Sequence, residues 1–215
     1  MHTYNTVVTF FQEGGLFMIP TAIVMALGIA VAIERWWSLR RAEIRNRKEW
    51  DKLGPIVTGG DVERAREATA KSKAEIGTIL NYGLARLHGS HKREDVEMAM
   101  EESLLETVPN LQRRTHYMAV FANVALLLGL LGTVIGLIDA FGVVATKDLS
   151  NKTTFLFNAI SVTMNNTAFG LMVSIPFLLI HAMLTTKTSR IVDSLEMATV
   201  KFLNTVPFMA DRSAD

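Results

Sequence analysis

The stretch Tyr117–Phe141 constrains the fold of this chain more than any other segment. It runs for about 25 residues with Asp139 as its one charged side chain, whereas a helix needs only about 20 apolar residues to cross the core of a bilayer. Two further segments, 16–34 and 155–184, are also dominated by apolar and small residues. We therefore expect an all-α protein with three transmembrane helices.

Basic residues predict the orientation of these spans. No Lys or Arg precedes the first span, but six follow it at once. By the positive-inside rule this arrangement places the N-terminus outside the cytoplasm, and three crossings then place the C-terminus inside. A cleaved secretory signal has its basic residues before the apolar run, so we expect the first span to be a retained anchor. The six residues are Arg35, Arg40, Arg41, Arg45, Arg47 and Lys48.

The predicted spans divide the chain into seven segments. Apolar residues at helical spacing between the first two spans predict a small cytoplasmic helical bundle, into which long helices extend from the membrane. The segments are a periplasmic amphipathic N-terminus (1–15), transmembrane helix 1 (16–34), the cytoplasmic helical domain (35–116), transmembrane helix 2 (117–145), a periplasmic loop (146–154), transmembrane helix 3 (155–184) and a cytoplasmic tail (185–215).

Breaker and cap residues predict helix boundaries within the cytoplasmic domain. Gly54-Pro55 and Gly59-Gly60 are expected to interrupt the basic helix that continues the first span. Asp61 is expected to cap a helix that begins at Val62. Pro109 is expected inside the last helix of this domain, where it would remove a backbone hydrogen bond and bend the chain.

Composition excludes several classes of function. The chain is 49% hydrophobic with a formal net charge of +1, which is a membrane composition and gives no basic surface for nucleic acid. It has no cysteine, and its five histidines form no ligand pair with a carboxylate, so we expect no disulfide, metal site or other cofactor. No nucleophile, base and orienting group converge in the sequence, so we do not expect an enzyme.

Small residues form a stripe along the central span. Gly129, Gly132 and Gly136 share one helix face, which lets another backbone approach closely. Thr133 is the one hydroxyl in this stripe. Thr133 and Thr167 each lie about eleven or twelve residues from the outer end of their spans, so we expect them at one depth in the membrane. A second stripe, in the third span, contains Thr163, Thr167, Gly170, Ser174 and His181, with Asn166 at its edge.

Two interpretations of these stripes stay open from the pattern alone. Small residues and threonines commonly hold packed membrane helices together, and a Thr hydroxyl can return to its own backbone. The alternative is a wet, ion-conducting interface lined by hydroxyls and amides. Asp139 lies near the outer boundary and His181 near the inner end, which predicts residues at a cavity mouth. Pro176 predicts a kink in the third span.

Two motifs in the last two spans resemble the MotA/TolQ/ExbB proton-channel family, in its three-span TolQ/ExbB-like branch. They are Gly129-Leu-Leu-Gly-Thr-Val-Ile-Gly136 and Asn166-Thr-Ala-Phe-Gly-Leu171, the second followed by Ser174-Ile-Pro176. The resemblance covers nearly the whole chain. It implies a subunit of a bacterial inner-membrane motor that forms a ring, typically a homo-pentamer, around the single spans of an ExbD- or TolR-like partner.

The resemblance also implies a mechanism. The membrane Asp of the partner carries the proton, residues matching Thr133 and Thr167 line its route, and the proton motive force moves a TonB- or TolA-like protein for transport or envelope functions. Two alternatives stay open. One is a non-conducting membrane scaffold that uses the stripes only for packing, and the other is a sodium-driven homologue.

Overall fold

A computed structural model describes residues 17–59, 61–89, 92–146 and 152–205. Every regular element within these ranges is a helix, so the predicted all-α class is confirmed. The predicted amphipathic N-terminus, residues 147–151 of the predicted loop and the last ten residues of the predicted tail lie outside the described residues. The helices are α1 (Met18–Thr58), α2 (Val62–Ala70), α3 (Glu75–Gly89), α4 (Arg93–Gln112), α5 (His116–Thr146) and α6 (Lys152–Thr205).

Three helical stretches are long and apolar enough to cross a membrane, as predicted. They lie within Met18–Thr58, Arg93–Thr146 and Lys152–Thr205. With 41 and 54 residues, α1 and α6 are much longer than the apolar part of a span requires. Each of these two helices therefore continues well beyond its membrane-spanning segment, as the sequence suggested.

Contacts divide the chain into two compact units. The span unit consists of the described residues of Met1–Glu34 together with Arg114–Met183. The bundle unit consists of Arg35–Arg113 together with the described residues of Leu184–Asp215. In the bundle unit, α3 and α4 bury the apolar faces that their spacing predicts. Leu80, Val96 and Met100 are fully buried, and Phe202 of α6 is 1% exposed.

One predicted boundary is wrong, because α1 does not break at Gly54-Pro55. The helix continues through Pro55 to Thr58. Proline removes one backbone donor, but its effect is small when only a few helical residues follow it. The last carbonyls are then satisfied locally, since the Thr58 hydroxyl donates to Gly54 O at 2.9 Å and the Gly59 N–H donates to Pro55 O at 3.0 Å. The helix can end at Thr58 because the carbonyl oxygens of Gly54 and Pro55 already have hydrogen-bond donors.

The connection between α4 and α5 lies just after Pro109. Pro109 is inside α4, as predicted, and this helix ends at Gln112. A turn at Arg113–Thr115 follows, in which Arg114 has a φ of 67°. This left-handed conformation interrupts the helical backbone, and α5 then begins at His116.

The N-cap of α2 gives a first testable prediction. The Asp61 carboxylate accepts the N–H of Arg64 at 3.1 Å, as expected for a cap. Replacing Asp61 by Ala should cost about 1 kcal/mol, so amides of α2 should exchange with deuterium roughly five times faster. Hydrogen–deuterium exchange with mass spectrometry measures this change. Glu63→Gln, in the same turn but without a capping bond, is the control, and unchanged exchange in Asp61→Ala would show that the cap contributes nothing.

Candidate functional site

The small faces of α5 and α6 bring two backbones into direct contact. Gly129 and Gly170 face each other. A Cβ built on Gly170 would lie 2.8 Å from Ala125 O and 3.0 Å from Gly129 Cα. Larger side chains cannot occupy either position unless the helices separate, so the glycines set the distance between α5 and α6.

Two further glycines of α5 extend this contact along the helix. A Cβ on Gly132 would lie 3.1 Å from the Asn166 amide nitrogen and 2.9 Å from Cβ of Phe17. Gly136 packs against the methyl group of Thr163. The α5 stripe is therefore the surface on which α6 and the beginning of α1 pack.

The hydroxyls of Thr133 and Thr167 are hydrogen-bonded to each other across this contact. Thr133 Oγ1 also lies 3.1 Å from Gly129 O and 3.3 Å from Thr163 O, and Thr167 Oγ1 lies 3.3 Å from Gly129 O. Both side chains are half-buried. The structure thus brings together the two residues that the sequence placed at one depth, on an edge of the helix contact that the chain leaves partly open.

This cluster of hydroxyls and carbonyls contains more acceptors than protons. Each threonine has one proton to donate and two lone pairs to accept with. Two carbonyl oxygens, those of Gly129 and Thr163, face the same two hydroxyls. The two carbonyls also accept backbone N–H groups within their own helices, so the spare lone pairs are those of the hydroxyl oxygens, which can accept a hydrogen bond from a protonated acid, a hydronium ion or water.

The other polar residues of the α6 stripe are enclosed in the helix contact. The Thr163 hydroxyl donates to Ile160 O at 2.8 Å, and the residue is 3% exposed. Ser174 and Asn166 are buried as well. These three residues pack between helices, whereas Thr133 and Thr167 keep a part of their surface open. Their predicted place on an ion route stays a prediction.

The residues predicted at the cavity mouths lie away from the threonine pair. Asp139 is exposed on α5, and at 1.5 Å per residue it lies about 9 Å along the helix from Thr133. His181 Nδ1 is 3.1 Å from Thr115 O, and because a carbonyl only accepts, this nitrogen carries a proton. Pro176 is exposed inside an unbroken α6. The predicted kink at Pro176 stays a prediction.

Sequence reasoning missed the contribution of α1 to this site. The ring of Phe177, which is 3% exposed, fills the space next to Gly28 of α1. Thr21 is also buried, but its hydroxyl donates back to Phe17 O at 3.0 Å and forms no hydrogen bond with the threonine pair. A lone glycine within an apolar helix is a signal of close approach, and Gly28 could have been found by it.

Known proteins resemble this chain in sequence. A sequence profile of the MotA/TolQ/ExbB proton channel family matches residues 71–197. A protein of Synechocystis sp. named putative biopolymer transport protein ExbB-like 1 is 30% identical over 187 residues, which cover 85% of this chain and 72% of the relative. The chain belongs to the MotA/TolQ/ExbB proton channel family. Its relatives place it in the ExbB-like branch of that family.

Two other relatives of this branch come from distant organisms. The biopolymer transport protein exbB1 of Vibrio cholerae is 28% identical over 185 residues, which cover 77% of this chain and 73% of the relative. A putative ExbB homolog of Methanothermobacter thermautotrophicus is 25% identical over 198 residues, covering 90% and 68%. Together with the three apolar helices, family membership makes this chain a multi-pass membrane protein of a proton channel family.

The family match contains all the predicted site residues. The glycine stripe and the threonine pair both lie within residues 71–197. Gly28 and Phe17, which the structure adds to the site, lie outside the matched region. The family profile therefore covers α3 to α5 and most of α6, while α1 contributes packing from a segment that the profile does not cover.

Proposed function

We propose that this ExbB-like chain is a ring-forming subunit of an inner-membrane proton channel and motor. The observation that carries the proposal is the half-open pair of hydroxyls, Thr133 and Thr167, with its surplus of acceptors. A proton donor that reaches this edge finds carbonyl and hydroxyl oxygens at hydrogen-bond distance. Such groups lower the cost of holding a proton or a protonated acid away from bulk water.

The chain needs a second protein to complete a proton route. Asp139 is the one carboxylate in the apolar parts of α5 and α6, and it lies about 9 Å along the helix from Thr133. A carboxylate at the centre of a bilayer is costly unless polar groups surround it. We propose that an ExbD- or TolR-like partner supplies an Asp from its single span and that the threonine pair lies beside it.

The ring accounts for the surface that the chain leaves exposed. Large apolar side chains of α5 and α6 point away from the span unit, among them Leu127, Leu131 and Met172. Lipid and neighbouring copies are the two partners that such side chains accept. We propose a homo-pentamer in the bacterial inner membrane, with the N-terminus in the periplasm and the C-terminus in the cytoplasm. Its movement would act on a TonB- or TolA-like protein.

A non-conducting scaffold is the second candidate, and the close glycine contact favours it. A scaffold needs helices that pack tightly, and Gly129 and Gly170 provide such a contact. The Thr163 hydroxyl, which returns to Ile160 O, behaves as a packing residue does. The channel and the scaffold both require a stable contact between α5 and α6, so measuring the stability of the protein does not distinguish them.

Reconstitution separates the channel from the scaffold. The purified chain is placed in vesicles with an ExbD-like protein that has an Asp in its apolar segment, and a potassium diffusion potential drives the ions. We expect a pH-sensitive dye inside the vesicles to report acidification only when both proteins are present. The matched control is the same partner with that Asp replaced by Asn, for which we expect the leak of protein-free vesicles.

Three outcomes would change the proposal. Flux no greater than the leak in the presence of both proteins would support the scaffold. Sodium uptake without acidification, followed with a sodium-sensitive dye in the same vesicles, would indicate a sodium-driven homologue. An assembly whose mass differs from five copies of the 23.8 kDa chain in the detergent-solubilised ring would contradict the pentamer.

A further inference from the structure

A second concave site lies in the bundle unit, between α1 and α6. It is a cavity of about 310 Å³ with Trp50 on one side and the α6 residues Ile191 and Met197 on the other. This volume is at the lower end of the range of small-molecule pockets. The site is independent of the threonine pair, because all of its lining residues belong to the bundle unit.

A buried amide with an unused donor lines this cavity. Asn46 is 4% exposed, and its Oδ1 accepts the N–H of Ile76 at 3.1 Å. That bond fixes the orientation of the amide, since only the oxygen can accept. Its Nδ2 group is buried without a hydrogen-bond partner among the described residues. A buried donor without an acceptor is unfavourable, so a ligand oxygen at this position would be stabilised.

Three cations surround the same cavity. Arg47, Arg190 and Lys201 line it and form no ion pair with any described residue. Glu43 is the one acid among the described lining residues, and Lys187 neutralises it at 2.9 Å. The charge that remains in the site is positive. A ligand for this site therefore carries negative charge.

The aromatic wall sets a second requirement on the ligand. Lys201 Nζ lies 5.9 Å from the centre of the Trp50 ring, which places a cation and a flat apolar surface next to each other. Phosphate alone uses the cations and the amide but leaves the ring without a contact. An anion with a planar group uses both, because the planar group can stack on the indole.

We propose that the bundle unit binds a small, soluble organic anion with a phosphate or carboxylate group and a planar ring. The anionic group contacts the three cations and, once the side chains that cover it move aside, Asn46 Nδ2, and the planar ring packs on Trp50. A lipid head group is the other source of a phosphate. Asn46 is eleven residues after Arg35, or about 17 Å along α1 from the end of the apolar segment, which favours a soluble ligand.

Titration of the full-length chain in neutral lipid discs tests the site, with adenosine 5′-monophosphate and inorganic phosphate as the probes. We expect saturable binding of both by calorimetry, with the nucleotide bound more tightly. Asn46→Asp keeps the acceptor for Ile76 and replaces the donor by a negative oxygen, so it should weaken both probes by tenfold or more. Arg190→Gln, at an exposed position where folding is not at risk, should weaken them as well.

Two variants serve as matched controls, and a third tests whether the planar group of the ligand stacks on Trp50. Asn110→Asp, on the exposed face of α4, and Arg64→Gln, on α2, make the same chemical changes outside the cavity and should leave binding unchanged. Trp50→Phe reduces the stacking surface, so it should reduce the preference for the nucleotide while phosphate still binds. Equal loss of both probes in Trp50→Phe would contradict the stacking arrangement.

A titration in discs that contain an anionic lipid distinguishes a soluble ligand from a lipid head group. Discs that contain phosphatidylglycerol should leave nucleotide affinity unchanged, because a site about 17 Å away is screened from surface charge at physiological salt. Competition by the anionic lipid would overturn the soluble-ligand proposal. Absence of saturable binding of both probes, or binding that Asn46→Asp and Arg190→Gln leave intact, would overturn the site itself.

Discussion

Replacing Thr167 by Val is expected to reduce partner-dependent proton flux by roughly 10- to 150-fold while the protein stays folded. Valine keeps the shape and removes the hydroxyl, which is bonded to Thr133 and Gly129 O. A hydrogen bond to a charged group contributes about 1.5–3 kcal/mol, and this range corresponds to that loss. The vesicle assay with the dye measures the flux, and the detergent-solubilised mass shows whether the ring still assembles.

Thr133→Val should have a similar effect, and the double variant should lose little more than either single variant. The two hydroxyls share Gly129 O and each other, so they act as one unit. Effects of groups that act as a unit are far from additive. Independent losses that multiply in the double variant would contradict a shared site, and they would place the two threonines at separate points on the route.

Thr21→Val is the matched control for these variants. Thr21 is a buried threonine in the apolar part of α1, and its hydroxyl donates to Phe17 O, in the residue just before this helix. Loss of such a bond should change stability by at most about 1 kcal/mol and leave flux unaltered. If Thr167→Val conducts as well as Thr21→Val does, the hydroxyls hold helices together and the scaffold describes the protein better.

Gly170→Ala is expected to lower the free energy of unfolding by about 1–3 kcal/mol, the usual cost of overpacking. The new methyl group would lie 2.8 Å from Ala125 O and 3.0 Å from Gly129 Cα. Both are backbone atoms, so the neighbour cannot turn aside and the helices must separate. Gly170→Val should be worse for the same reason. Unfolding of the purified protein in mixed SDS micelles measures the change.

Gly142→Ala provides the same chemical change in a position with space. Gly142 is in α5, and apart from its chain neighbours and the backbone of its own helix, no described atom lies within 4 Å of its Cβ position. Alanine is a better helix former than glycine by about 0.5–1 kcal/mol, so this variant should be as stable as the unchanged chain or slightly more so. Equal losses in the two variants would show that glycine flexibility, and not the close contact, determines stability.

The sequence predicted those features that follow from helical periodicity. Thr133 and Thr167 could be placed together because residue counts along two spans fix depth, and the structure shows their hydroxyls in contact. The class of fold followed from the length of the three apolar segments. The role of Thr133 and Thr167 in ion passage stays a prediction, because it depends on a partner protein.

Contacts that depend on which helix faces meet could not be predicted in this way. Periodicity gives each helix an apolar or small face, but it does not say that Phe177 fills the space beside Gly28. Nothing in the sequence indicates that Asn46 is buried, since it lies between Arg45 and Arg47 in a run of basic residues. Its burial follows from the approach of α3, whose Ile76 N–H it binds. The break predicted at Pro55 is absent because the cost of a proline depends on how many helical residues follow it.

The contact between Gly129 and Gly170 also has a consequence for how such a chain tolerates genetic change. Glycine has the smallest side chain, so every missense mutation at these two sites adds atoms against a neighbouring backbone. Leucines such as Leu127, which are exposed on the outside of the span unit, can be exchanged for other apolar residues with little effect on the contacts within the chain. Sequence variation among natural copies of this protein should therefore be greatest at the large apolar residues of the outer surface and smallest at these two glycines.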